Sequence, residues 1–441
     1  MPDFAVSDHP GVQEQLARLA RLSPGGDTLG LARITALLER LGNPQHALPP
    51  VFHVAGTNGK GSTCAFLRAG LEAAGHKVHV YTSPHLVRFN ERIRLAGRLI
   101  EDEPLAALLA EALNAAGSSE ISFFEATTAA AFLAFARSPA DACILEVGLG
   151  GRLDATNVIA SPLVCGIAQL GLDHQFFLGD TIEQVASEKA GIARAGVPLI
   201  TQRYSRRAAE RVEQAAAAAG APWLARGAEW DAIATDGQLL YRDQPGELAL
   251  PLPRLPGNHQ AMNAGLAAAM LRHQEALEVP VPALRAMPGW TEWPARMQRL
   301  APGPLLELLP AGSQLWLDGA HNPAAARAIA ALLEGEPFAG HRLHLVCGLL
   351  ANKDAMGVLR PFSGSDVTLH PVPVPGHEHH EPGMLADEAR RLGLSASAAD
   401  GVEAALKRIA SAGAKDPPVV LIMGSLYLAG AVLRANGQVP V

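Results

Sequence analysis

The run Val51-Phe52-His53-Val54-Ala55-Gly56-Thr57-Asn58-Gly59-Lys60-Gly61-Ser62-Thr63 constrains this chain more than any other stretch. Val51–Ala55 reads as a buried strand, Gly56–Gly61 as a tight turn and Ser62–Ala74 as the helix that follows. Lys77–Tyr81 reads as the next strand, which completes a βαβ unit and commits the chain to a parallel sheet. Glycines in such a turn let backbone N–H groups approach phosphate oxygens, and the helix N-terminus adds a positive partial charge. Gly56, Thr57, Asn58, Gly59, Lys60, Gly61 and Ser62 are therefore candidate nucleotide-binding residues. Lys60 would supply a mobile cation, and Ser62 or Thr63 a hydroxyl close to a magnesium ion. The generic pattern G-x-x-x-x-G-K-[ST] is not met: Val54 stands where the first glycine belongs, and Gly61 separates Lys60 from Ser62. A plain glycine-rich turn with a solvated lysine is the competing reading.

Ala142–Val147, Leu163–Leu170 and Val197–Thr201 read as further strands, and Glu183–Ala195 and Ser205–Ala219 as helices. The texture changes between Val279 and Pro304. There Pro280, Pro282, Pro288, Pro294, Pro302 and Pro304 are expected to interrupt regular elements, and Trp290 and Trp293 to pin the segment to a neighbour. Such a stretch predicts an interdomain linker at 291–303. A second series follows, with strands Gln314–Leu317, Arg342–Cys347 and Val419–Met423, a helix Pro323–Leu333, and another from Leu426. The expected class is α/β: an N-terminal P-loop-type parallel-sheet ATPase domain over 1–290, and a smaller C-terminal Rossmann-like α/β domain over 304–441.

The chain has 441 residues, 49% of them hydrophobic, so it can bury a large core without staples. Its net charge of −7, with no basic run, argues against a nucleic-acid binder. Cys64, Cys143, Cys165 and Cys347 lie far apart and fit reduced thiols better than disulfides or zinc. No signal-peptide core opens the chain, and the longest apolar run, Val419 to Leu433, is broken by Gly424, Ser425 and Gly430. The expectation is a cytoplasmic monomer acting on small molecules, with neither nucleic acid nor membrane as partner.

The string Gly-Thr-Asn-Gly-Lys-Gly-Ser resembles the phosphate loop of the Mur family of ATP-dependent amide ligases, most closely its dihydrofolate synthase/folylpolyglutamate synthase branch. Tyr81-Thr82-Ser83-Pro84-His85-Leu86 ends the second strand and is similar to that branch's Ser-Pro-His-Leu motif, whose serine ligates magnesium. Glu146 closes an apolar strand, where a carboxylate is costly unless paired or metal-bound. Its string, Glu146-Val147-Gly148-Leu149-Gly150-Gly151-Arg152-Leu153-Asp154-Ala155-Thr156-Asn157, is similar to the family's Glu-x-Gly-x-Gly-Gly-x-x-Asp-Ala-Thr-Asn. The resemblance implies ATP and two magnesium ions, with Ser83 and Glu146 on one ion and His174 of Gly171-Leu172-Asp173-His174 on the second. It further implies a carbamylated Lys189, which requires a neutral amine and hence a lowered pKa.

On the nucleotide the resemblance places Asn263, Arg296 and Asp318, with His321 near the phosphates. These lie in Leu255-Pro256-Gly257-Asn258-His259-Gln260-Ala261-Met262-Asn263, in Trp293-Pro294-Ala295-Arg296 and in Asp318-Gly319-Ala320-His321-Asn322-Pro323. The family usually carries glycine where this chain has Ala295. Lys353-Asp354 also resembles the family and receives no role. Asp27-Thr28-Leu29-Gly30-Leu31 and Ser122-Phe123-Phe124-Glu125 resemble segments lining a pterin pocket, with Leu153, Asp154 and Ala155 also towards substrate. The implied reaction joins L-glutamate to dihydropteroate, to tetrahydrofolate, or to both, through an acyl phosphate. Lys60, Lys189 and His321 are the expected catalytic residues.

Two other readings predict different things. A ligase of UDP-muramoyl peptides would need a further N-terminal domain, and only 50 residues precede Val51. A regulatory nucleotide hydrolase would turn over without glutamate. The cluster His377-Glu378-His379-His380-Glu381 looks metal-like, but neighbouring histidines on an extended loop cannot all aim at one ion. It reads as a solvated loop.

Overall fold

A computed structural model describes residues 5–22, 29–117, 119–413 and 416–441. Asp27 and Thr28, named above for the pterin pocket, lie outside the described residues. The strands of the first lobe are β1 (Val51–Ala55), β2 (Val78–Tyr81), β3 (Ile93–Leu95), β4 (Arg98–Leu99), β5 (Ala142–Glu146), β6 (Val164–Ile167), β7 (Leu199–Thr201) and β8 (Trp223–Ala225). They form a sheet in the order β4-β3-β2-β5-β1-β6-β7-β8, parallel from β2 to β8 with β3 and β4 antiparallel at one edge.

The central strands are buried on both faces, which is why they read as continuous apolar runs. Val51, Tyr81 and Leu145 face the helices Pro10–Leu19, Asp102–Ala116 and Phe123–Arg137. Phe52, Val54 and Ile144 face Lys60–Ala73 and Asn258–Arg272. Parallel pairing sends the carboxyl ends of β1, β2 and β5 to one edge, with Glu146 level with Val54.

The sequence pattern missed an antiparallel sheet of β9 (Trp230–Thr235), β10 (Gln238–Asp243) and β11 (Gly246–Pro251), whose Trp230, Tyr241 and Leu250 extend the same core. The second lobe holds β12 (Gln298–Arg299), β13 (Gln314–Leu317), β14 (Leu343–Cys347), β15 (Val367–Pro371), β16 (Ser395–Ala396) and β17 (Val419–Met423), in the order β12-β13-β17-β14-β15-β16. It is parallel except for β12.

The proline-rich segment corrects one expectation. Val281–Trp290 is a helix, with Pro282 in its first turn, where no N–H is missed, and Pro288 near its end. Trp290 is 62% exposed and pins nothing, whereas Trp293 packs against the phosphate-loop helix at Gly61. That helix begins at Lys60, two residues earlier than expected, and the expected helix Glu183–Ala195 stops at Ala190. Among the described residues no helix is long and apolar enough to cross a membrane.

Candidate active site

The strand ends of the first lobe and the loops of the second enclose a cleft of about 640 Å³. Every expected site residue lines it except Leu31, which heads the helix Ala32–Arg40 and lines a separate hollow with Asn157 and Arg194.

The phosphate loop is held from below and beside. Thr57 N–H donates to Gln169 O (2.8 Å) and Thr57 Oγ1 to Gly171 O (2.9 Å), which ties the loop to the segment after β6. Gly59 caps the helix with φ of 86°, a left-handed conformation, and a Cβ there would collide with Asn263 Oδ1. A Cβ on Gly61 would sit 2.8 Å from the Trp293 ring. Lys60 Nζ donates to Gly56 O (3.1 Å), so its ammonium folds back over the loop. Ser62 Oγ and Thr63 Oγ1 are buried and lack a hydrogen-bond partner, although Ser62 lines the cleft. The orphaned Ser62 hydroxyl, in a cleft that also holds a buried carboxylate, suits a hard cation with oxygen ligands.

That carboxylate is Glu146, 4% exposed. Its Oε2 accepts from Ser83 N–H (3.3 Å), which brings the two expected metal ligands together. Burial raises its pKa, while Lys60, the Ser83 hydrogen bond, Arg296 and Arg92 pull the other way. Among the described residues no three His, Cys, Asp or Glu side chains converge as a metal site. A set of Ser83, Glu146 and phosphate oxygens does not require that convergence.

Lys189 is 4% exposed at the end of the helix Ile182–Ala190 and lines the cleft. Burial, helped by the charge of Lys60, brings its pKa down to about 7 against the pull of Asp173, Asp154 and Glu188. The amine is therefore neutral in a large fraction of molecules near neutrality. His174, at φ of 51°, is lowered to about 4, first by burial and then by Lys353, Lys60 and His321, with Asp173 opposing.

Sequence reasoning quoted Asp173 without giving it a role, and gave none to Lys353. Lys353 Nζ lies 2.7 Å from Asp173 Oδ1, His321 Nε2 lies 3.4 Å from Asp173 Oδ2, and Asn58 and Asn322 exchange amide hydrogen bonds of 3.2 and 2.9 Å. These bridges join the two lobes across the cleft. Burial opposes ionisation of Asp173, but the hydrogen bond of His321 and the charges of His174 and Lys353 hold its carboxyl well below the usual range. The visible signal was a carboxylate after an apolar strand, overshadowed by the adjacent histidine.

On the second lobe, Asp318 Oδ2 accepts from Met297 N–H (2.8 Å) and its Oδ1 from Ala320 N–H (2.7 Å), which fixes the loop carrying Arg296. Ala295 adopts φ of 54°, a left-handed conformation that favours glycine, here carried with a Cβ in place. Asn263 Nδ2 donates to Gln260 Oε1 (3.1 Å).

At the other end, Phe124 lies over Gly148 and 5.9 Å from the Tyr81 ring, while Phe123 turns into the core against Phe89. Glu125 is engaged locally: it completes a capping box with Ser122 and pairs with Arg33 at 3.1 Å, leaving Oε1 buried without a partner. The Ser122-x-x-Glu125 spacing announces that cap. Asp154 accepts from Leu149 N–H (2.8 Å) and Thr156 N–H (2.9 Å), so it shapes the turn on which Leu153 and Ala155 face the cleft.

Residues 306–426 match the model of the Mur ligase, glutamate ligase domain. The dihydrofolate synthase/folylpolyglutamate synthase of Escherichia coli is 39% identical over 332 residues, covering 75% of this chain and 74% of that protein. The chain belongs to the dihydrofolate synthase/folylpolyglutamate synthase family. This makes it an ATP-dependent ligase, as the resemblance of its motifs implied. Among solved structures, E. coli FolC in complex with DHPP and ADP superposes with a TM-score of 0.86 at 34% identity, covering 97% of this chain and 98% of that one. A bifunctional folylpolyglutamate synthase/dihydrofolate synthase with Mn, AMPPNP and L-glutamate bound gives 0.83 at 33% identity, with coverage of 96% and 97%. The α/β class and the two-lobe architecture are those of the family's structures.

Proposed function

We propose that this ligase joins L-glutamate both to dihydropteroate, giving dihydrofolate, and to tetrahydrofolates, giving γ-linked polyglutamates. ATP-dependent ligation of glutamate to a folate-type carboxylate is the family's reaction and this enzyme's. One observation carries the reading: a single cleft joins the phosphate loop at one end to the Phe124 face at the other. A flat pterin and a triphosphate can therefore share it with the carboxylate between them.

The γ-phosphoryl group passes to the substrate carboxylate, giving an acyl phosphate. The amine of glutamate attacks the acyl carbon, and phosphate leaves. Lys60 and Arg296, which both line the cleft, would neutralise the charge spread over the transferring group, which is positioning and electrostatics rather than covalent catalysis. ATP and a divalent cation serve the reaction. Ser83, Glu146 and the orphaned Ser62 hydroxyl would hold the cation, which screens phosphate charge when bound.

A second magnesium ion at His174 and a carbamate on Lys189 belong to the same proposal. The lysine pKa of about 7 supports the carbamate, since CO₂ adds to a neutral amine. His321 and Asp318 complete the nucleotide side, and Leu29, Gly30, Ser122 and Phe124 the pterin side. We also propose a monomer with lobes at 1–290 and 304–441 joined through 291–303. A cytoplasmic location is supported by four buried, unpaired cysteines.

The test is ADP release with dihydropteroate and L-glutamate, each omitted in turn. Release that requires both, and that tetrahydrofolate with L-glutamate also supports, sustains the reading. Release indifferent to either points to a nucleotide hydrolase.

A further inference from the structure

The loop His377–Glu381 has no place in the chemistry above, and its histidines invite a metal. The structure gives its rings other work. His377 stacks on Tyr427, with centroids 3.9 Å apart and planes 25° from parallel. His379 Nδ1 lies 2.7 Å from His377 O, closing the loop on itself. His380 Nε2 lies 2.8 Å from Lys353 O. A carbonyl only accepts, so Nε2 of His380 carries a proton and donates it. Two or three imidazoles turned onto one ion would have to break these contacts first.

Apart from the stacking on Tyr427, the loop's cross-contacts fall on one short segment of the cleft wall. His380 N–H donates to Leu349 O (2.9 Å), Ala351 N–H donates to Glu378 O (3.1 Å), and Leu350 and His379 form an isolated antiparallel bridge. Residues 349–353 are thus strapped along one side by the histidine loop. At the end of the strap stands Lys353, whose side chain is 10% exposed and whose Nζ crosses to Asp173 Oδ1 at 2.7 Å. Asp173 directly precedes His174 and also takes His321, so the position of one ammonium bears on groups from both lobes.

The geometry points to His380 as a positioning residue of the ligase: by donating to Lys353 O it sets the lysine that bridges the lobes onto Asp173. The inference rests on the ligase reading given above. His380 touches no reacting atom. It acts by fixing where the backbone of Lys353 sits: the lysine side chain is confined at 10% exposure with its ammonium tied to Asp173, so a backbone shift strains that one contact. His380 stands apart from the phosphate loop, so loosening Lys353 weakens the bridge between the lobes and lowers turnover more than affinity for ATP.

The experiment compares His380→Ala and His380→Gln in the full chain, by steady-state ADP release with ATP, dihydropteroate and L-glutamate. His380→Ala is expected to lower kcat roughly tenfold, the scale of one lost hydrogen bond at a closing cleft, with KM for ATP within twofold of wild type. His380→Gln, which places an amide donor near the same carbonyl, is expected to recover kcat to within about twofold. Wild-type kcat in His380→Ala would overturn the proposal. So would a glutamine variant as slow as the alanine one, or a loss confined to KM for ATP. A wild-type enzyme whose ADP release ignores glutamate would instead sink the ligase reading, so the two failures are told apart. If His380→Ala does not fold, the glutamine variant still decides between a donor and a ring that merely fills space.

Discussion

On the first-lobe wall of the cleft, the loop that would grip phosphate is fixed by close approach: Gly59 lies against Asn263 and Gly61 against Trp293, with no room for a Cβ at either. On the second-lobe wall, Arg296, Lys353 and Tyr427 are placed by side chains behind them, namely Asp318 on Met297 N–H, His380 on Lys353 O, and His377 on the Tyr427 ring. Steric fixation is all-or-none, because a methyl group either fits or displaces the loop. Hydrogen-bonded fixation is graded, since each contact is worth on the order of 1 kcal/mol. The phosphate-loop wall thus adds steric locks to its hydrogen bonds, whereas the facing wall rests these cleft side chains on polar and ring contacts.

Substitutions can break that contrast. Lys60→Ala, which removes the cation over the loop, is expected to cost roughly 10³-fold in kcat, measured by ADP release. Gly61→Ala is expected to cost roughly 10²-fold in kcat/KM for ATP, because the ring of Trp293 forces the helix N-terminus to shift. Asp318→Asn, on the opposite wall, loses one of two backbone acceptors and should cost only about tenfold. A Gly61→Ala enzyme that works as well as Asp318→Asn would erase the distinction.

Titration sharpens it further. The folded pKa of Lys189 is about 7 against an ordinary 10.5, so between those values the unfolded chain holds a proton that the folded chain has released. Stability therefore rises with pH through that window, and the buried ammonium is most destabilising below it. Lys189→Met should flatten the rise, as read by thermal unfolding in CO₂-free buffer. Its activity should gain nothing from bicarbonate, whereas the wild-type enzyme should gain severalfold.

The second-lobe counterpart affects stability alone. His370, buried beside His344 at 3.1 Å, is lowered to about 4 by burial, then by His344 and Arg408. Below 6.5 the unfolded chain takes up a proton that the folded ring refuses. The protein should thus lose about 2–3 kcal/mol between pH 6.5 and 4, and less in His370→Leu, by denaturant unfolding.

That Gly56–Ser62, Ser83 and Glu146 would share one cleft was legible because they sit in contiguous strings at the ends of apolar strands that run parallel. The lobe-bridging contacts were not. Asp173 and Lys353 are 180 residues apart in sequence, and nothing local tells a lysine which carboxylate it will meet. Leu31 shows the limit in the other direction: the string ran one residue beyond the cleft, and the helix starting at Ala32 turned it away. The sheet of β9 to β11 was overlooked although Asp236-Gly237, with φ of 46° and 76°, is a strong hairpin signal between alternating strands. Helix Val281–Trp290 was hidden by its prolines: Pro282 sits in the first turn, where a helix tolerates it, and Pro288 forgoes a backbone bond near the end.

The account stands most directly on where the nucleotide lies. A crystal grown with AMPPNP, Mn²⁺ and dihydropteroate should show the triphosphate over Gly56–Ser62, metal density beside Ser83 and Glu146, and both lobes in contact with the nucleotide. A nucleotide bound elsewhere, or held by one lobe with Glu146 turned away from any metal, would contradict it.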